Sequence, residues 1–113
     1  DALFMRVALK KILTAAGFKV VGEAENGKSS VWRYQELHPD VVLMDITMPE
    51  MDGMAALKAI KQSSPEAAVI MGTAIGQEQK VMEAFQADAK DYINKPFKPK
   101  KVIEAVMKAG NNG

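Results

Sequence analysis

Apolar side chains recur along this chain at helical and at extended spacings in turn. Met5, Leu9 and Ile12 fall on one face at intervals of three or four residues. They predict a helix over residues 2–16, and Gly17 is its expected end. The same periodicity predicts four further helices, at residues 27–37, 53–62, 77–87 and 99–109.

Short apolar segments separate these predicted helices. Residues 40–45 form a continuous apolar run with β-branched side chains, which is typical of a parallel strand buried on both faces. Comparable segments predict three more strands, at residues 18–24, 67–72 and 91–94. Strands that alternate with helices predict an α/β fold with a doubly wound parallel sheet covered by helices on both faces.

The composition excludes several classes of function. The 113 residues include no cysteine, so a thiol nucleophile and a cysteine-based zinc site are excluded. Lys and Arg number 15 against 14 Asp and Glu, and a net charge of +1 gives no electrostatic reason to expect nucleic-acid binding. No apolar run approaches the ~18 residues of a membrane span. We therefore expect a cytoplasmic domain that uses neither a membrane nor a nucleic acid.

Ligand sites of doubly wound sheets lie beyond the carboxyl ends of the strands, which directs attention to Asp45. The Pro- and Gly-containing turn at residues 48–53 predicts that Asp45 lies at the rim of an open crevice. A carboxylate in this position is either a structural cap or a nucleophile that attacks phosphorus to form an acyl phosphate. The second role requires a divalent cation with oxygen ligands, for which we expect Mg²⁺, and a fixed positive charge.

Lys95 and Thr73 end the two strands that follow Asp45 in the sequence. Lys95 precedes Pro96, and the pair is consistent either with a turn that carries a solvated lysine or with an ammonium that binds phosphate oxygens. Thr73 is either an ordinary strand-end residue or a hydroxyl that donates to a phosphoryl oxygen. Three suitable groups at three strand ends favour a site for phosphoryl chemistry.

Three segments of the sequence resemble the signature segments of response-regulator receiver domains. They are MDITMPEMDG at residues 44–53, the Thr73-Ala74 pair after an apolar strand, and DYINKPF at residues 91–97. The opening residues DALFMR resemble the start of the first helix in single-domain chemotaxis members. The resemblance covers the whole chain, and it implies one receiver domain of flavodoxin-like type over residues 1–113.

The resemblance also implies roles for the matching residues. Asp45 would be the phosphoacceptor, and Asp1, Asp45 and the backbone carbonyl of Thr47 would hold Mg²⁺. Lys95 would contact the phosphoryl oxygens, and the Lys95–Pro96 bond would be cis. Thr73 would close on the phosphoryl group, and the rotamer of Tyr92 would follow it.

The same resemblance implies partners. The phosphoryl donor would be a histidine kinase, and the output would be a downstream effector such as a flagellar motor switch or another chemotaxis component. The domain would phosphorylate itself from a donor and dephosphorylate itself, without being a turnover enzyme. The alternative is a receiver-like interaction module that acts without phosphorylation. An aspartyl-phosphate phosphatase is disfavoured, because Thr47 occupies the position where such enzymes need an acid.

The sequence departs from the receiver pattern at its start. Receiver domains carry a strand before the acidic pair of the metal site, whereas this sequence begins at the second acid, Asp1. The missing strand would be central in the usual 2-1-3-4-5 order, and its loss would expose strand edges. We therefore expect an N-terminally incomplete receiver domain that lacks the first strand.

Overall fold

Helices and strands alternate along most of the chain in the computed structural model. It describes residues 2–24, 26–45, 53–73, 78–94 and 97–110, with the side chains of residues 2–5 and 78 outside that description. Five helices lie in these ranges: α1 (Ala2–Ala15), α2 (Gly27–Leu37), α3 (Gly53–Ser63), α4 (Glu78–Gln86) and α5 (Pro99–Gly110). Three strands lie there too: β1 (Val42–Asp45), β2 (Val69–Thr73) and β3 (Asp91–Asn94). All five predicted helices and three of the predicted strands are confirmed.

The three strands form a parallel sheet in the order β1-β2-β3. The central strand β2 is buried along its whole length. A parallel strand covered on both faces must present apolar side chains to both, which explains why its sequence reads as a continuous apolar run. All three strands run in the same direction, so their carboxyl ends meet at one edge of the sheet.

Helices cover both faces of the sheet, as the doubly wound fold predicts. On one face α2, α3 and α4 enclose a core that includes Leu57 and Met71, both fully buried. On the other face α1 and α5 pack over Ile70 and Val102, which are fully buried as well. Burying side chains of this size stabilises the fold by roughly 1.5–3 kcal/mol each. No helix within the described ranges has the length and apolar character to cross a bilayer.

Local signals in the sequence set the helix ends. Gly17 has a φ of 92°, and the Phe18 and Gly17 amides donate to the carbonyls of Leu13 and Thr14. This is the Schellman arrangement, which needs a left-handed residue at that point and explains why α1 ends there. At the start of α2, the side chain of Asn26 accepts from the Ser29 amide at 2.8 Å. That contact is an N-cap.

The strand predicted at residues 18–24 is wrong. The structure describes these residues without regular secondary structure. In the strand order that the resemblance implies, this segment would pair only with the first strand of the family's sheet, and the described part of the chain places no strand beside it. A strand exists only through its ladder of hydrogen bonds to a neighbour, so an apolar β-branched run without one stays irregular.

The segment at residues 18–24 is nevertheless attached to the domain. Phe18 packs against the core beneath α5. Glu23 lies 3.3 Å from the Lys10 ammonium and 3.8 Å from the Arg6 guanidinium, which ties the segment to α1. Partly exposed ion pairs of this kind contribute at most about 1 kcal/mol each, so the packing of Phe18 matters at least as much.

Candidate functional site

The carboxyl ends of the three strands bring Asp45, Thr73 and Asn94 to one edge of the sheet. Asp45 lies opposite Gly72 on β2, and Thr73 lies opposite Asn94 on β3. Neighbouring strands are about 4.8 Å apart, so Thr73 stands between the strand that carries Asp45 and the strand that carries Asn94. We call these three residues the strand-end site.

Asp45 follows a buried residue and is itself only partly buried. Met44 is 3% exposed and belongs to the core beneath α3. Since side chains alternate along a strand, Asp45 points toward the layer formed by α1 and α5. The Asp45 carboxylate lies at the carboxyl end of a strand and is neither fully buried nor fully exposed. A solute can therefore reach it from the end of the sheet.

The hydroxyl of Thr73 is almost completely buried and is already engaged. Thr73 is 1% exposed. Its Oγ1 donates to Oδ1 of Asn94 at 2.8 Å, and the carbonyl oxygen of Ile93 lies at 3.5 Å. The shorter contact has the usual length of a hydroxyl hydrogen bond, whereas the longer one is at the limit. The threonine is therefore held by its neighbour on β3.

Tyr92 lies two residues before Asn94, on the same face of β3. It is 40% exposed. Its ring meets that of Phe85 on α4 edge to face, with the centroids 5.9 Å apart and an interplanar angle of 86°. This geometry is favourable for aromatic pairs, so it supports an outward position of the Tyr92 ring.

The donor set predicted for Mg²⁺ is only partly within the described residues. Asp45 fits such an ion, because a partly exposed carboxylate oxygen is the kind of ligand that hard divalent cations prefer. Asp1, Thr47 and Lys95, together with the Lys95–Pro96 bond predicted to be cis, lie outside the described residues. Among the residues that are described, no group of three or more His, Asp or Glu could hold a metal ion.

Asn94 is a functional residue that the sequence pattern does not reveal. Its side chain meets Thr73 because the two residues are directly opposed in the β2–β3 ladder. Local periodicity does not reveal the register of two strands whose paired residues are 21 apart in the sequence. The available signal was the position of Asn94 at the end of a predicted strand, directly before Lys95.

The sequence of this chain is similar to those of known proteins over nearly its whole length. The model of the response regulator receiver domain matches residues 1–107. The chemotaxis protein CheY of Bacillus subtilis is 55% identical over 111 residues, covering 98% of this chain and 92% of the relative. CheY of Thermotoga maritima is 54% identical over 108 residues, covering 96% and 90%.

Solved structures show the same fold. The receiver domain of NtrX from Brucella abortus superposes with a TM-score of 0.93 at 27% identity, covering 98% of this chain and 93% of that one. A CheX-CheY-BeF₃-Mg²⁺ complex from Borrelia burgdorferi matches with a TM-score of 0.90 at 38% identity, covering 96% and 82%. Likeness in fold and sequence extends over nearly the whole chain, and we conclude that the chain belongs to the family of response regulator receiver domains.

Proposed function

We propose that this chain is a phosphoacceptor signalling domain in which Asp45 receives a phosphoryl group from a histidine kinase. Receiver domains of the CheY type are signalling domains, and they interact with histidine kinases and effectors. One observation carries the proposal: in a chain of this family, the Asp45 carboxylate and the Thr73 hydroxyl stand at the ends of neighbouring strands. A carboxylate nucleophile and a hydroxyl donor at adjacent strand ends suit a site that binds and attacks a phosphoryl group.

The transfer is a substitution at phosphorus. A carboxylate oxygen of Asp45 forms a bond to phosphorus, and the bond from phosphorus to the donor breaks. The donor atom, an imidazole nitrogen of the kinase or the acyl oxygen of a small phosphodonor, keeps the electron pair. The product is an acyl phosphate on Asp45, which is a covalent intermediate of the type that carboxylates form.

Receiver domains of this type typically bind Mg²⁺ at the phosphorylation site. Asp45, Asp1 and the backbone carbonyl oxygen of Thr47 would hold the ion. The chemistry that Mg²⁺ supplies when bound is neutralisation of the negative charge that accumulates between the carboxylate and the phosphoryl group. Lys95 adds a fixed positive charge that pairs with the phosphoryl oxygens.

Phosphorylation then changes the balance of two conformations. The new group carries a charge of about −1.5 to −2 and strong acceptor oxygens. Thr73 turns its hydroxyl toward these oxygens, and Tyr92 moves into the space that Thr73 leaves. The affinity of the face formed by α4, β3 and α5 for its partner changes as a result.

The relatives support a chemotaxis setting for this switch. In this proposal the chain acts as one receiver domain in the cytoplasm, and its output partner is a downstream effector such as a flagellar motor switch or another chemotaxis component. The Borrelia burgdorferi relative was crystallised with CheX, BeF₃ and Mg²⁺, which supports a chemotaxis setting for proteins of this type.

Intact-mass spectrometry with and without Mg²⁺ tests the proposal. After incubation with acetyl phosphate and Mg²⁺ the chain should gain the mass of one phosphoryl group, and chelation of the metal should abolish the gain. The Asp45→Asn variant should gain nothing while keeping its circular dichroism spectrum. The matched control is Asp40→Asn, at an exposed residue just before the same strand, which should label normally.

Two outcomes would contradict the proposal. Labelling that survives Asp45→Asn would assign the acceptor elsewhere. A folded chain that never labels, but binds a partner equally well with and without Mg²⁺ and phosphodonor, would instead favour a phosphorylation-independent interaction module.

A further inference from the structure

The hydroxyl of Thr73 has one proton, and in this structure that proton is used in a hydrogen bond to Asn94. Oγ1 of Thr73 donates to Oδ1 of Asn94 at 2.8 Å. A threonine hydroxyl has two acceptor lone pairs but only one O–H. Thr73 therefore cannot donate to a phosphoryl oxygen on Asp45 while it donates to Asn94, so the two hydrogen bonds exclude each other.

The position of Asn94 suits this competition. Thr73 is opposed by Asn94 across one side of β2, whereas Asp45 lies on the strand at the other side. Turning the hydroxyl from one strand to the other takes a rotation about χ1 of Thr73, between staggered rotamers.

Thr73 and Asn94 differ in whether another partner is available when the hydrogen bond between them breaks. Thr73 is 1% exposed, so its hydroxyl cannot turn to bulk water and needs another protein or ligand acceptor. Asn94 is exposed, so water can replace the threonine at its amide oxygen. The carbonyl oxygen of Ile93, at 3.5 Å, offers only a poor substitute. Asn94 is thus the acceptor that keeps the Thr73 hydroxyl oriented toward β3 and away from Asp45.

We propose that Asn94 is a positioning residue that holds the Thr73 hydroxyl in the unphosphorylated state and releases it when Asp45 is phosphorylated. The inference rests on the proposed function of Asp45 and Thr73. Its consequence is that the side chain of Asn94 lowers the stability of the phosphorylated conformation relative to the unphosphorylated one. Removing the amide should make that conformation easier to reach.

Beryllofluoride, which mimics a phosphoryl group, provides the test in the presence of excess Mg²⁺. Asn94→Leu removes the acceptor while keeping the number and branching of the side-chain heavy atoms, and the exposed position of Asn94 leaves room for the larger methyl groups. The half-saturating beryllofluoride concentration, followed by backbone NMR of β2, should fall by about two- to tenfold, the range expected for loss of one ordinary hydrogen bond from the unliganded state. The same variant should raise the fraction labelled at a limiting acetyl phosphate concentration.

A double-mutant cycle separates positioning from a merely structural role. In a Thr73→Val background the hydroxyl is gone, so adding Asn94→Leu should shift the beryllofluoride midpoint by less than about twofold. Urea unfolding of each variant measures any general loss of stability. If Asn94→Leu acts only by lowering the stability of the fold, its effect should be the same with Thr73 as with Val at position 73.

Three outcomes would overturn the inference. One is an unchanged midpoint in folded Asn94→Leu, and another is an equal shift in the Thr73→Val background. In both cases wild-type binding and labelling remain, so the proposed function survives. A wild-type chain that neither labels at Asp45 nor binds beryllofluoride is the third, and it overturns the proposed function together with the inference.

Discussion

At the scale of single residues, the ring of Phe97 packs directly over Gly72. A Cβ on Gly72 would lie 3.0 Å from Cζ and 3.4 Å from Cε1 of Phe97. Contacts this short require the ring to move by a few tenths of an ångström. Gly72 lies opposite Asp45 in the sheet, and Phe97 follows Lys95 by two residues. Glycine at this position therefore lets Phe97 approach the sheet next to the proposed phosphorylation site.

We expect Gly72→Ala to lower the free energy of unfolding by about 1 kcal/mol. Overpacking costs roughly 1–3 kcal/mol, and the lower entropy of the unfolded chain offsets part of that cost. Because Phe97 follows Lys95 by two residues and Lys95 is proposed to pair with the phosphoryl oxygens, labelling of Asp45 by acetyl phosphate should slow. Urea unfolding and timed mass spectrometry measure the two effects.

A second substitution that makes space should reverse the first. Gly72→Ala combined with Phe97→Leu should label faster than Gly72→Ala alone, since the smaller side chain removes the clash. If Gly72→Ala is as stable as the wild type and labels at the same rate, the close contact has no energetic consequence.

At the scale of elements, α1 and α4 end in the same way with different residues. In α1, Gly17 adopts the left-handed conformation with a φ of 92°. In α4, Asp88 does so with a φ of 68°, while the amides of Ala89 and Asp88 donate to the carbonyls of Ala84 and Phe85. Both ends are Schellman motifs, and the second places a side chain where glycine is usual.

Asp88→Gly should therefore stabilise the domain by roughly 0.5–1 kcal/mol. A residue with a Cβ loses about 1–2 kcal/mol in the left-handed region, less for Asp, and the entropy of glycine in the unfolded chain cancels part of the gain. The midpoint of urea unfolding should rise. The reciprocal change, Gly17→Asp, should lower the midpoint, because Asp is less stable than glycine at a positive φ. No other atom lies within 4 Å of a Cβ at residue 17, so this effect comes from the backbone conformation and not from a clash. A lower midpoint for Asp88→Gly would contradict this account of the helix end.

At the scale of the whole molecule, the buried Tyr34 links stability to alkaline pH. Tyr34 is 5% exposed, in the core beneath α2 and α3. Burial raises the pKa of its phenol above the ordinary 10.0, and the negative charge of Glu66 raises it further, while a hydrogen bond with Ser64 opposes the shift. The folded state thus retains a proton that the unfolded state loses.

The sign of the pH dependence follows from the raised pKa. Below pH 10 both states hold the proton, and the contribution of Tyr34 to stability is complete. Above pH 10 the unfolded state ionises first, so stability falls as the pH rises toward the pKa of the folded state. Urea unfolding between pH 8 and 11 should show a steeper loss for the wild type than for Tyr34→Phe. Equal slopes would mean that Tyr34 ionises as readily in the folded chain.

Most of the elements were predictable from the sequence, because their signals are local. Side-chain periodicity predicted the helices, and Gly17 marked the end of the first one. The apolar run before Asp45 predicted a buried parallel strand. Parallel strands align their carboxyl ends, so the proximity of Asp45 and Thr73 followed from the fold class alone.

Residues 18–24 and Asn94 show what only the tertiary structure decided. Residues 18–24 have the composition of a strand and remain irregular, because a strand needs a neighbour that composition cannot supply. The hydrogen bond between Asn94 and Thr73 depends on the register of two strands far apart in sequence. The sequence by itself determined which residues could act as helix, buried strand, nucleophile and hydroxyl donor, since those properties belong to side chains and their local order. Tertiary structure decided which strands pair and which partner holds the Thr73 hydroxyl, since both depend on contacts between distant parts of the chain.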